Sequence, residues 1–135
     1  MLFVSCQNND KTINKISSVK NAELEMYVPS ELASLMKDMY NANQDWKTEI
    51  LKGNIPTSFP EEYKKIHTAQ STNENAGSDF YNSMSTSYLK TISDLTKAKP
   101  ENVKERYNAM VNVCVSCHLQ VCPGPIVKIK KLIIK

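Results

Sequence analysis

Apolar positions recur along most of this chain at intervals of three and four residues, the period of a helix with one buried face. From Ser30 to Lys52 the stripe is Leu32, Leu35, Met36, Met39, Ala42, Trp46 and Ile50. Ser30 follows Pro29 as a candidate N-cap, Gly53 stands where glycine ends a helix, and Pro56 prevents resumption. A second helical segment opens at "FPEEYKKIHTAQ". Pro60 fits the first helical position, Glu61 and Glu62 suit the positive end of the dipole, and Tyr63, Ile66 and Ala69 face inward. "STNENAGS" reads as a polar loop. A third segment runs from after Ser78 to near Lys97, with Phe80, Met84, Tyr88, Ile92 and Leu95 as its stripe. The fourth starts at Pro100-Glu101 and lines up Val103, Tyr107, Met110, Val111, Cys114, Cys117, His118 and Val121 before Pro123, Gly124 and Pro125 stop it. "IVKIKKLII" is a short amphipathic tail, helix or strand. Four amphipathic helices with short connections predict an all-α fold, an antiparallel four-helix bundle.

Composition narrows the class of protein. The chain has 135 residues, enough for one domain with one core, and its 41% hydrophobic content suits a packed interior rather than a membrane bundle. The net charge is +3, its charges are interspersed, and Arg106 is the one arginine among 17 basic residues. No basic stripe of the kind nucleic acid demands is present. The start, "MLFVSCQNND", resembles the end of a bacterial lipoprotein signal, in which a small residue precedes a cysteine that becomes lipidated. The expected division is therefore residues 1–6, the end of a lipoprotein signal closing at a lipidated Cys6; residues 7–28, a polar tether; and residues 29–135, the bundle with its tail.

Three of the four cysteines and one of the two histidines fall between Cys114 and Cys122. On a helix, positions i, i+3 and i+4 share a face, so Cys114, Cys117 and His118 point the same way. Two thiols so placed can form thioether bonds to the two vinyl groups of one haem, and the histidine can turn its imidazole to the iron. This is the c-type haem attachment pattern. Its place on the apolar stripe of the last segment would hold the macrocycle against the core. Other uses fit less well. Zinc drawn from Cys114, Cys117, His118 and Cys122 needs a tetrahedral shell, whereas side chains on one helix fan along a face. An iron–sulfur cluster would need remote Cys6 as a fourth thiolate. A thioredoxin-like dithiol lacks its βαβ setting, and a structural disulfide leaves the histidine unexplained.

A helical bundle with Cys114-Val115-Ser116-Cys117-His118 near the end of its last helix resembles the cytochrome c prime family of bacterial periplasmic haem proteins. The resemblance spans about residues 30–122, judged by helix number and order. "LKGNIP", Leu51 to Pro56, after a first helix with methionines, is its softer part, while "SFPEEYKKIHTA" and "CPGPIVKIKKL" depart from the family pattern. It implies haem c held by Cys114 and Cys117, His118 as proximal iron ligand, and a distal residue from the first helix. Counting back from "LKGNIP" puts Met36 at the distal position, with Met39 the second choice and an apolar, open site the alternative. Six-coordinate iron suits electron transfer with redox partner proteins of the respiratory chain; five-coordinate iron suits nitric oxide or carbon monoxide. The first is the leading expectation: a periplasmic electron carrier, no enzyme, attached to a membrane through the lipid on Cys6. The resemblance also allows a homodimer through the first two helices.

Six further residues bear on the site. His67, the other histidine, is expected to cap its helix, face solvent or meet a haem propionate rather than bind iron. Cys122 is expected as a small buried hydrophobe at the helix end. Tyr107 is expected in the core. Lys128, Lys130 and Lys131 are expected on the solvated face of the tail, with steering of an acidic redox partner as their second use.

Overall fold

The computed structural model describes residues 27–135. Cys6 and nearly all of the expected tether lie outside them. The described chain is helical, with no strand among the described residues. Its elements are α1 (Glu31–Leu51), a 3-10 helix (Glu61–His67), α2 (Asp79–Leu95), α3 (Val103–Val121) and the short α4 (Ile126–Lys130).

The first and third predicted segments start and stop as their caps dictate. Ser30 Oγ accepts the Ala33 N–H at 3.2 Å and Ser78 Oγ accepts that of Tyr81 at 3.2 Å. Gly53 follows the α1 cap with φ +93°, a left-handed conformation that favours glycine, and its N–H reaches the Ile50 carbonyl at 3.0 Å.

The second expected bundle helix is instead a seven-residue 3-10 helix. Its apolar residues explain the difference. Tyr63, Ile66 and Ala69 are spaced by three throughout, and three residues per turn stacks them on one face, where an α-helix would let them drift. Tyr63 and Ile66 are buried accordingly. Beyond His67 the chain turns to cap α1: the Gln70 carbonyl accepts the Leu32 N–H at 2.9 Å, and Glu31 accepts the Gln70 N–H at 3.0 Å.

The heart of the fold is the hairpin of α2 and α3, which pack extensively on one another; α1 meets α3 at far fewer points. On α2 the buried face is Tyr81, Ser85, Tyr88, Ile92 and Leu95, a strict alternation of four and three. The expected stripe placed Phe80 and Met84 there, but both are only half-buried. Ser85 hid the true register, because a small hydroxyl residue can be buried where a helix needs little volume. Asn43 did the same on α1, where it is buried and Ala42 is half-buried.

The tail belongs to the core. Ile129, Leu132 and Ile134 are buried. Asn108 of α3 exchanges two hydrogen bonds with the Ile134 backbone, at 2.8 and 2.9 Å. Lys47 of α1 donates to the carbonyls of Lys131 and Ile133 at 2.8 and 3.0 Å, so the tail ties α1 to α3.

Candidate functional site

Near its C-terminal end α3 turns Cys114, Cys117 and His118 toward a cavity, as three residues on one helical face must. Met36 and Met39 of α1 line it, with Met84, Ser85 and Tyr88 of α2 and Ile66 of the 3-10 helix. The five residues expected to form the site from α1 and α3 are thus brought together. Met39 is buried and Met36 half-buried.

The thiols sit in an apolar environment. Burial pushes the Cys114 thiol up to about 12, and the neighbouring Cys117 adds to the shift. Cys117 is also raised by burial. The Cys114 sulfur lies 3.5 Å from the Met110 carbonyl, one turn back. Burial thus favours the neutral form of both thiols. Among the described residues no three His, Cys, Asp or Glu side chains gather to hold an ion, so the zinc arrangement of Cys114, Cys117, His118 and Cys122 is not formed.

His118 is oriented by its own helix end. Its Nδ1 lies 2.8 Å from the Cys122 carbonyl oxygen. A carbonyl only accepts, so Nδ1 carries a proton and donates, which leaves Nε2 as the nitrogen free to offer a lone pair to a metal. That is the tautomer a metal-binding imidazole uses.

Two buried hydroxyls at the cavity, Ser85 Oγ and Tyr88 Oη, have no hydrogen-bond partner among the described residues. The phenol of Tyr88 is held well above its ordinary value by burial. Tyr81, in contrast, donates to the Ile66 carbonyl. Ser85 escaped the sequence reading because it is polar. Met84 and Tyr88 were expected in the α2 stripe, but nothing in the spacing linked that stripe to Cys114.

Three other expectations resolve. His67 is exposed at the end of the 3-10 helix and does not line the cavity. Cys122 is exposed rather than buried, because it ends α3 and precedes Pro123, which turns the chain away. Tyr107 fills the core with none of its surface exposed, and its hydroxyl donates to the Asn43 carbonyl at 2.8 Å.

No family model, curated protein or solved structure matches this chain. The site is therefore read from its own residues.

Those residues fit a c-type haem in chemistry. Neutral thiols in an apolar wall suit conversion to thioethers, which are uncharged and easily buried. One imidazole nitrogen is bare, and flexible methionines stand across the cavity. Volume is the requirement still to be met. The cavity measures about 40 Å³, room for roughly two or three waters and far too little for a tetrapyrrole. Taking up a haem would require the cavity walls to move apart, and α1 meets α3 at few points.

Proposed function

We propose that this chain is a c-type cytochrome carrying electrons on the periplasmic side of a bacterial membrane. It would be of the cytochrome c prime type, with the 3-10 helix in the place of the second bundle helix. One observation carries the reading: Cys114, Cys117 and His118 share a cavity wall that faces Met36 and Met39. Bound haem c supplies a one-electron iron couple. Cys114 and Cys117 hold it, each sulfur bonding a vinyl carbon while the thiol hydrogen passes to the other carbon. His118 presents Nε2 as the proximal ligand. Met36 would offer its thioether from α1 across the cavity, with the more deeply buried Met39 as the second choice. A thioether ligand favours reduced iron and raises the potential. Lipidation of Cys6 would tether the protein to the membrane.

A second reading, five-coordinate haem that binds nitric oxide or carbon monoxide, draws on the apolar lining by Ile66 and Val113. The visible spectrum of the loaded protein separates the two. The carrier predicts low-spin ferric iron with a sulfur-to-iron charge-transfer band that disappears in Met36→Leu, and slow reaction of the ferrous form with carbon monoxide. High-spin ferric iron with immediate, complete carbon monoxide binding would reject methionine ligation.

A further inference from the structure

We infer that Pro123 and Asn73 are positioning residues for His118: together they hold the end of α3 so that the Cys122 carbonyl fixes the Nδ1–H tautomer of the imidazole. The iron-linked part of this inference rests on the haem reading; the tautomer does not.

In a continuing helix the Cys122 carbonyl would point along the axis toward Ile126. The His118 side chain leans the other way, toward the helix N-terminus. The two could not meet. Pro123 prevents that continuation. It disfavours the helical conformation in the residue before it, and Cys122 has φ −154° and ψ 84°. Its carbonyl swings back and accepts from Nδ1 at 2.8 Å. The loop is then fixed from downstream, where Ile126 N–H donates to the Pro123 carbonyl at 3.1 Å and Ile129 N–H to the Pro125 carbonyl at 3.0 Å.

A second anchor comes from another part of the fold. Asn73, in the polar loop between the 3-10 helix and α2, donates from Nδ2 to the Val121 carbonyl at 2.9 Å. Asn73 is itself set by Ser71 Oγ, which accepts its N–H at 3.0 Å, and by Asn75, whose N–H donates to Asn73 Oδ1 at 2.9 Å. The carbonyls of Val121 and Cys122 are orphans of the helix end. One is taken by Asn73 and the next by His118. The polar loop thus has a use that its composition did not disclose.

The hydrogen bond has two consequences. It fixes Nε2 as the bare nitrogen, the one able to bind a metal. It also makes Nε2 a stronger donor, as the outer partners of ligating histidines do, which stabilises ferric over ferrous iron.

The test uses the full chain, wild type and the Pro123→Ala and Asn73→Ala variants, with folding checked by circular dichroism. Nitrogen-15 shifts of the His118 ring are recorded on the chain without haem, and the reduction potential on the loaded protein. If the haem-free chain is unfolded, solvent exchange of the Nδ1 proton in the loaded ferrous protein supplies the tautomer reading. The expected result is a dominant Nδ1–H form in the wild type, with exchange faster by an order of magnitude or more in both variants. At a fixed poise the variants favour ferrous iron several-fold over the wild type. An Nδ1 occupancy equal to that of free histidine, or variants that leave ring and potential unchanged, would overturn the inference. A chain that fixes the tautomer but never takes up haem would uphold the positioning of His118 and reject the haem reading.

Discussion

The two halves of α3 are built from the same kind of residue and reach different ends. In the first half, Val103, Tyr107, Met110 and Val111 are buried, the last three with no exposed surface, against an equally enclosed Ile92 and Leu95 on α2. In the second half, Val113, Cys114, Cys117, His118 and Val121 are all half-buried. The difference lies in what stands opposite. Near the α2–α3 connection the two helices close on each other, and the tail completes the seal through Asn108 and Ile134. At the other end the facing wall includes three methionines, Met36, Met39 and Met84, side chains that fill irregular gaps and yield easily. One half of the helix supplies stability and the other leaves room for chemistry.

The largest effect should come from emptying the closed half. Met110→Ala or Leu95→Ala is expected to cost about 2–5 kcal/mol in urea unfolding of the haem-free chain. Cys117→Ala in the same chain should stay within roughly 1 kcal/mol, near the range of surface substitutions. Equal losses at the two ends would erase the distinction.

A matched pair of tyrosines sharpens it. Tyr107→Phe removes a hydroxyl that donates to the Asn43 carbonyl and should cost about 0.5–1.5 kcal/mol. Tyr88→Phe removes a buried hydroxyl without a partner among the described residues, so the haem-free chain should be unchanged or slightly more stable. Denaturant midpoints measured side by side decide this, and a substantial loss from Tyr88→Phe would show that its hydroxyl is engaged.

Alkaline pH probes the open half through one thiol. The Cys114 thiol is raised by burial from 9.0 to about 12, so the unfolded chain loses this proton first. The stability linked to it is complete below about pH 9 and is lost as pH rises toward 12. Cys114→Ala should flatten that part of the pH–stability curve. In alkylation at pH 8, exposed Cys122 should react first and Cys114 last; early modification of Cys114 would mean that the cavity wall is open to water.

Much of this was legible in the chain. Caps and stripes marked α1, α2 and α3, and the spacing of Cys114, Cys117 and His118 put them on one face. Met36 and Met39 were found by their place on the α1 stripe. What escaped notice depended on residues whose chemistry disguises their position. Ser85 and Asn43 are polar yet buried, so the α2 register was read one residue early in its first two turns. Tyr63, Ile66 and Ala69 recur at every third residue, a spacing that marks a 3-10 helix but was read as a short α-helix. The Cys122 carbonyl is a backbone group, invisible to a search for side-chain ligands. The tail looked peripheral because its anchors, Lys47 and Asn108, lie far from it in sequence.

The central claim is that Cys114 and Cys117 hold a haem covalently, and intact mass spectrometry of the denatured protein tests it most directly. The full chain is produced in a bacterium with haem-attachment machinery. The account predicts a mass increased by one haem that survives denaturation, reduced attachment in Cys114→Ala and Cys117→Ala, and none when both are replaced. A colourless chain of unmodified mass from that host would contradict it.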